Sequence, residues 1–230
     1  MIALGALTSA VGLLVLTPLG VGSTHAAAQD DPYDDDAPAV PAEDGFIPDS
    51  VADFPAGALG YEFGSPVNAA RRACRRARGA WASAGRARGV PGYVCSVVPG
   101  DIGYREAFSS VGTCSGRVCE IMGLLPLGTD RAPAAWADLL SALRRRYGED
   151  VPLDRGDPAC VQALRTSARW GCLVWGHDPD VEVISAWEFH GRGFVQLVAS
   201  RATNPSQVLI GLKYWNREML SDMRPDERPL

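Results

Sequence analysis

Lysine is almost missing from this chain: of its 22 basic residues, only Lys213 is not an arginine. Together with abundant Ala, Gly and Pro, this bias points to a GC-rich genome, and it lowers the functional weight of any arginine cluster. Histidine is scarce too, with only His177 and His190 beyond the N-terminal region. There is no Gly-rich phosphate loop, HExxH, GxSxG, EF-hand loop or paired CxxC. The sequence therefore calls for no cofactor and no metal, and it names no catalytic residue. No Lys or Arg precedes the apolar run Ile2 to Gly22, and no cysteine follows the small-residue stretch Ala26-Ala27-Ala28. The second absence argues against a lipid-anchored protein; the first is unusual for a signal peptide.

Six cysteines, an even number, fit an oxidising compartment. The apolar run and the small residues before Gln29 then read as a signal peptide over 1–28, cleaved after Ala28, which predicts a secreted or periplasmic protein. The alternative is a retained anchor, since about 20 apolar residues suffice to span a bilayer. Pro18 and the scattered Gly, Ser and Thr residues weaken that alternative, and membrane contact is expected only if the segment is kept. Residues 29–57 are Pro-rich and hold nine acids but no Lys or Arg, so they read as a disordered acidic linker. The formal net charge of −5 hides this asymmetry, because 22 basic residues face 18 acidic ones in the rest of the chain. The domain proper is read as 58–215, followed by a polar tail over 216–230.

Within the domain, Ser65-Pro66 has the chemistry of a helix start. Val67, Ala70, Cys74, Ala77 and Trp81 then form an apolar stripe, which predicts a helix ending by about Gly85. Arg71, Arg72, Arg75, Arg76 and Arg78 occupy its remaining surface. They could hold phosphates, but the weak net charge and the absence of an aromatic stacking platform argue against nucleic acid. Gly89 to Gly92 reads as a turn, and Tyr93–Val98, Ala107–Thr113 and Val118–Leu125 as strands. Trp136, Leu139, Leu140, Leu143 and Tyr147 predict a second helix closed by Gly148, with Arg144, Arg145 and Arg146 favourably placed at the negative end of its dipole. Asp157-Pro158 is expected to start a short helical turn, and Trp170–Trp175 to form a strand. Val181–Phe189 and Phe194–Ser200 form a hairpin with Gly191-Arg192 at its tip and Phe189 opposite Phe194. Gln207–Trp215 is the last strand. The sum is an α+β domain: an antiparallel sheet of five to seven strands with two main helices packed on one face, stapled by disulfides.

Cys114-Ser115-Gly116-Arg117-Val118-Cys119 stands at its centre. With Gly116-Arg117 at the tip of a hairpin, Cys114 faces Cys119 across the strands at bridging distance. Two free thiols of a metal or redox site are the other reading, although structural zinc pairs are usually spaced by about two to four residues. Neighbour pairing gives three expected disulfides: Cys74 to Cys95, Cys114 to Cys119, and Cys160 to Cys172. Each would clamp local structure.

One stretch gathers groups that could do chemistry. His177, Asp178, Asp180 and Glu182 lie close together around Pro179 and could bind a metal or supply a base. This makes a small secreted hydrolase or metal-dependent enzyme the alternative function. Glu120 and Glu188 are strand carboxylates, and His190 reads as a turn residue.

The stretch Tyr61-Glu62-Phe63-Gly64-Ser65-Pro66-Val67, running into a helix, resembles the small envelope modules of the SmpA/OmlA lipoprotein and beta-lactamase-inhibitor-protein type. So does the recurrence of helix and strands around Trp136 to Gly148. The resemblance implies a helical segment packed on an antiparallel sheet, in one copy or two, whose work is protein binding. The chain departs from that pattern by lacking a lipobox cysteine, by placing Ser-Pro after Phe63-Gly64, and by its three disulfides, and no functional residue carries over. The opening Phe63-Gly64, Cys74, Trp81 and Tyr93-Val94-Cys95 is also similar to secreted proteins of GC-rich bacteria. The leading expectation is thus a non-enzymatic exported domain that binds a protein or cell-envelope component through an exposed sheet face or edge.

Overall fold

The computed structural model describes residues 52–87, 90–100, 102–167, 170–204 and 206–221. The expected signal peptide, nearly all of the acidic linker, Gly89 of the expected turn and the end of the tail lie outside them. A short hairpin, β1 (Gly57–Ala58) with β2 (Tyr61–Glu62), leads into helix α1 (Val67–Arg76). Strands β3 (Trp81–Ala87), β4 (Val90–Cys95), β5 (Phe108–Cys114) and β6 (Arg117–Gly128) follow as an antiparallel meander. After helix α2 (Ala132–Tyr147) come β7 (Val151–Pro152), α3 (Pro158–Ser167) and α4 (Gly171–Trp175). Strands β8 (Glu182–Phe189), β9 (Gly193–Arg201) and β10 (Gln207–Asn216) then make a second meander, closed by α5 (Arg217–Ser221).

The eight strands lie in the order β3-β4-β5-β6-β10-β9-β8-β7. Each meander ends on a central strand, and β6 and β10 join antiparallel from Gln207 opposite Gly128 to Trp215 opposite Glu120. The sheet is therefore two helix-led halves fused through their last strands. The α+β class and antiparallel sheet follow the sequence expectation, but among the described residues the sheet has eight strands, with a separate hairpin. Among the described residues α3 and α4 join the two main helices α1 and α2 on one face.

That covered face carries Val111, Ile121, Leu125 and Leu127 from the first half. The second half adds Val183, Trp187, Phe189, Val195, Leu197, Ala199, Val208 and Ile210, all buried in one core with Trp136, Leu143 and Tyr147 of α2. Cys160 and Leu164 of α3 and Leu173 and Val174 of α4 complete it. Trp187 also donates its indole N–H to the Gly148 carbonyl at 2.9 Å, locking the end of α2 to the sheet. Gly148 has φ 88° and ψ −165°, a conformation open to glycine and closed to other residues.

Ionic groups fix the outer part of the second half. The Arg165 guanidinium of α3 spans both carboxylate oxygens of Asp154 at 2.7 and 2.9 Å and reaches the Ile184 carbonyl at 2.8 Å. Asp154 in turn accepts the Ile184 amide. This clamp holds α3 and the residues after β7 against β8. Nearby, Asp150, with a side chain only 2% exposed, is paired to Arg144 at 2.6 Å.

All six cysteines are paired, as Cys74–Cys95, Cys114–Cys119 and Cys160–Cys172, with Cα atoms 5.9, 5.7 and 5.8 Å apart. The geometry around them differs from the expectation. Helix α1 stops at Arg76 and the chain turns at Arg78, φ 62°, so Trp81 opens a strand instead of continuing the helical stripe. Gly79, just past the turn, has no room for a side chain, since a Cβ there would lie 2.6 Å from Cys95 Sγ and 2.8 Å from Cys74 Sγ. Ser65 does not cap α1; its hydroxyl donates to the Glu62 carbonyl.

In the central hairpin the turn is Ser115-Gly116, with φ 49° and 76°, the two positive values of a type I′ turn. Cys114 thus faces Arg117, one residue off the expected register. Gly112 pairs with Glu120 and Thr113 with Val118, which leaves Cys119 as the extra residue of a β-bulge. The bulge brings Cys119 to Cys114. The other hairpin is also shifted by one: His190 and Gly191 take the positive φ values, and Phe189 faces Gly193 while Glu188 faces Phe194. Gly193 cannot carry a side chain, because its Cβ would meet the Trp215 carbonyl and the Phe54 ring. Trp170–Trp175 is not a strand: Gly171–Trp175 is a short helix that packs Leu173 and Val174 inward, held to α3 by Cys160–Cys172.

The two outer strands are unlike each other. β7 is two residues long and contains Pro152, whereas β3 is seven residues long with a register shift between Ser83 and Gly85.

Candidate functional site

The groups gathered around Pro179 are used by the fold. Asp178 accepts the Asp157 amide on one oxygen and the Asp180 amide on the other, both at 2.9 Å, so its carboxylate ties the loop to the start of α3. Glu182 opens β8 and exchanges main-chain bonds with Arg155. His177 and Asp180 are exposed. Among the described residues no group of three or more His, Cys, Asp or Glu side chains is placed to hold a metal ion. His190 sits in a tight turn, and Glu188 pairs with Arg217 at 3.1 Å. Arg71, Arg72, Arg75, Arg76 and Arg78 are exposed to solvent.

The more distinctive surface is the sheet face turned away from α1–α4. Along β6 burial alternates residue by residue: Ile121, Leu125 and Leu127 enter the core, while Met122, Leu124 and Pro126 are half-buried on the other side. β10 behaves likewise, with Leu209, Lys213 and Trp215 on the outer face. The pairings set Lys213 between Met122 and Gln196, Trp215 between Glu120 and Phe194, and Leu209 beside Pro126. Phe108 lies across from Leu124 and Ser110 across from Met122. Aromatic, methionine and aliphatic groups thus recur from β5 to β9, interspersed with Ser110, Glu120, Gln196 and Lys213. Lys213 Nζ lies 5.8 Å from the Trp215 ring and the Arg217 guanidinium 5.4 Å from the Phe194 ring. Pro126 is tolerated because β5 stops pairing at Phe108 opposite Leu124, leaving β6 a free edge beyond it.

Parts of this face are covered: Ile184, Ala186 and Val198, which lie on it, are buried. Met219 and Leu220 of α5 pack on Val90 and the Cys114–Cys119 pair, so the start of the expected polar tail is a helix lidding a disulfide. The sequence carried a signal for the face. A strand apolar at odd and even positions alike, as Val118 to Leu127 is, has both faces withdrawn from water or committed to partners. Trp175 was missed for a related reason: an apolar six-residue run does not distinguish strand from helix. It ends α4 with 72% of its surface exposed.

On the helix side, a cavity of about 420 Å³ lies in the seam between the halves. Leu139, Ala142, Leu143, Arg146 and Tyr147 of α2 form one wall, Leu212 and Tyr214 of β10 the floor, and the Gly57–Gly60 turn with Gly100 and Ile102 the other wall. Leu59 from that turn rests on Gly123 of β6, where a Cβ would come within 2.9 Å. Tyr147 and Tyr214 both line the cavity, and burial holds both phenols above the ordinary tyrosine range.

No protein-family model matches the chain, and searches of curated proteins and of solved structures return no match. The three disulfides fit an oxidising compartment. No helix of the described residues is long and apolar enough to cross a membrane.

Proposed function

We propose that this chain is a non-enzymatic exported domain, carried out by a cleaved N-terminal signal peptide to the periplasm or the cell exterior, that binds a protein through the outer face of its sheet. The observation that carries this reading is the composition of that face. Met122, Leu124, Phe108, Phe194, Leu209 and Trp215 stand half-buried on a rigid eight-stranded support, with Lys213 and Arg217 stacked on the aromatics. Apolar surface of this kind marks interaction sites, and Trp, Met, Phe and Arg are the residue types enriched there. Strands need little reordering on binding, so the entropic cost of docking is small. The resemblance of Tyr61 to Val67 to envelope binding modules points the same way.

Photo-crosslinking tests the reading. A photoreactive residue at position 122 or 209 is expected to give a discrete protein adduct in envelope extract, lost when Trp215 is changed to Ala. The same probe at Ser141, on α2, is expected to give none. Equal labelling at Ser141, or no adduct from the face, would sink the proposal.

A further inference from the structure

The seam cavity is separate from the outer face and has a chemistry of its own. Its walls are aliphatic: Leu139, Leu143, Ile102, Leu59 and Leu212 line it. Leu139 belongs to the core stripe of α2 yet is only half-buried, because it opens onto this space. Polar groups converge at one end. Tyr147 and Tyr214 line that end, and the exposed Arg146 guanidinium stands over the Tyr147 ring at 5.2 Å.

Among the three arginines ending α2, Arg146 has a distinct position. Arg144 is bound to Asp150 and Glu149, and Arg145 donates to Ser141 Oγ. Arg146 has no carboxylate at ion-pair distance among the described residues. A volume near 420 Å³ lies in the range of small-molecule pockets, about 300–1,000 Å³, which bind by an apolar lining and a few convergent polar groups.

We infer that the seam between the halves binds a free single-chain carboxylate amphiphile. Its hydrocarbon chain lies among Leu59, Leu139, Leu143 and Leu212, and its carboxylate meets Arg146 beside Tyr214. The ligand would then bridge the two halves of the domain.

Isothermal titration of sodium dodecanoate into the oxidised full chain is expected to show saturable binding. Ala142→Phe, at an exposed rim position that folding does not need, is expected to weaken it at least about tenfold by filling the mouth. Arg146→Gln is expected to weaken dodecanoate about tenfold while changing dodecanol less than about twofold, since only the carboxylate uses the charge. Absence of saturable binding, or binding indifferent to Ala142→Phe, overturns the inference. So does an equal effect of Arg146→Gln on both probes. Sedimentation with phosphatidylglycerol vesicles that needs Arg146, without dodecanoate binding, would assign the arginine to a membrane surface and overturn it as well.

Discussion

The two halves of the sheet reach stability by different means. In the second half, Trp187, Phe189 and Tyr147 are fully buried, Tyr147 and Phe189 meet edge to face at 5.3 Å, and four helical turns of α2 lie across the strands. The first half has less volume to bury. Its helix α1 offers Ala70, Ala73 and Cys74, and its core face includes Ser109 and Thr113. Ser109 donates to the Val97 carbonyl at 2.6 Å, which leaves its oxygen to accept from Tyr61 at 2.8 Å. Two of the three disulfides lie in this half. Cross-links here do the work that aromatic packing does in the other half.

The largest blow to that contrast is expected from Trp187→Ala. Losing a buried indole and its bond to Gly148 should cost about 3–5 kcal/mol in denaturant unfolding. Both halves should unfold together, since β6 and β10 share nine residue pairs. Replacing Cys74 and Cys95 by Ala opens a loop with a sequence separation of 21 and should cost about 3 kcal/mol. Hydrogen exchange is expected to quicken in α1, β3 and β4 while β8 and β9 stay protected. Equal loss in both halves would contradict the contrast. Arg165→Ala leaves Asp154 without its cation and should cost about 1–3 kcal/mol, with exchange quickening at β7 and β8 and none at β4.

The smallest effect concerns alkaline pH. Tyr61 in the first half, and Tyr147 and Tyr214 in the second, are held above the ordinary value of 10.0, with burial the main cause in each. A phenol with a raised folded pKa adds stability that is fully present below pH 10 and is lost as pH climbs above it. Stability should therefore hold through neutral pH and fall above about pH 10. Tyr214→Phe should flatten the fall more than Tyr61→Phe, as measured by urea midpoints at successive pH values. A larger change from Tyr61 would reverse the expected weighting.

Sequence reading went furthest where local chemistry sufficed. The stripe from Trp136 to Tyr147 and its Gly148 stop, the three neighbouring cysteine pairs and the last strand are all in the structure. It failed where a distant contact decided. The apolar spacing through Ala77 to Trp81 suits a helix, but the chain turns at Arg78, and Gly79 just past it must make room for the Cys74–Cys95 sulfurs. Both hairpin registers were off by one, because Ser115 and His190 adopt positive φ beside a glycine, a choice their side chains do not announce. The outer face was legible only as the doubly apolar run Val118 to Leu127, and the cavity was not legible. The outer face depends on which half of each strand's alternation the helices cover, and the cavity exists only once β6 and β10 join, about 85 residues apart in the chain.

The unequal edges of the sheet set a limit on how these molecules can assemble. Pro152 and a two-residue length stop further strand addition at β7, whereas β3 keeps an outward row of main-chain groups. A strand added by main-chain pairing therefore finds a longer template at β3 than at β7.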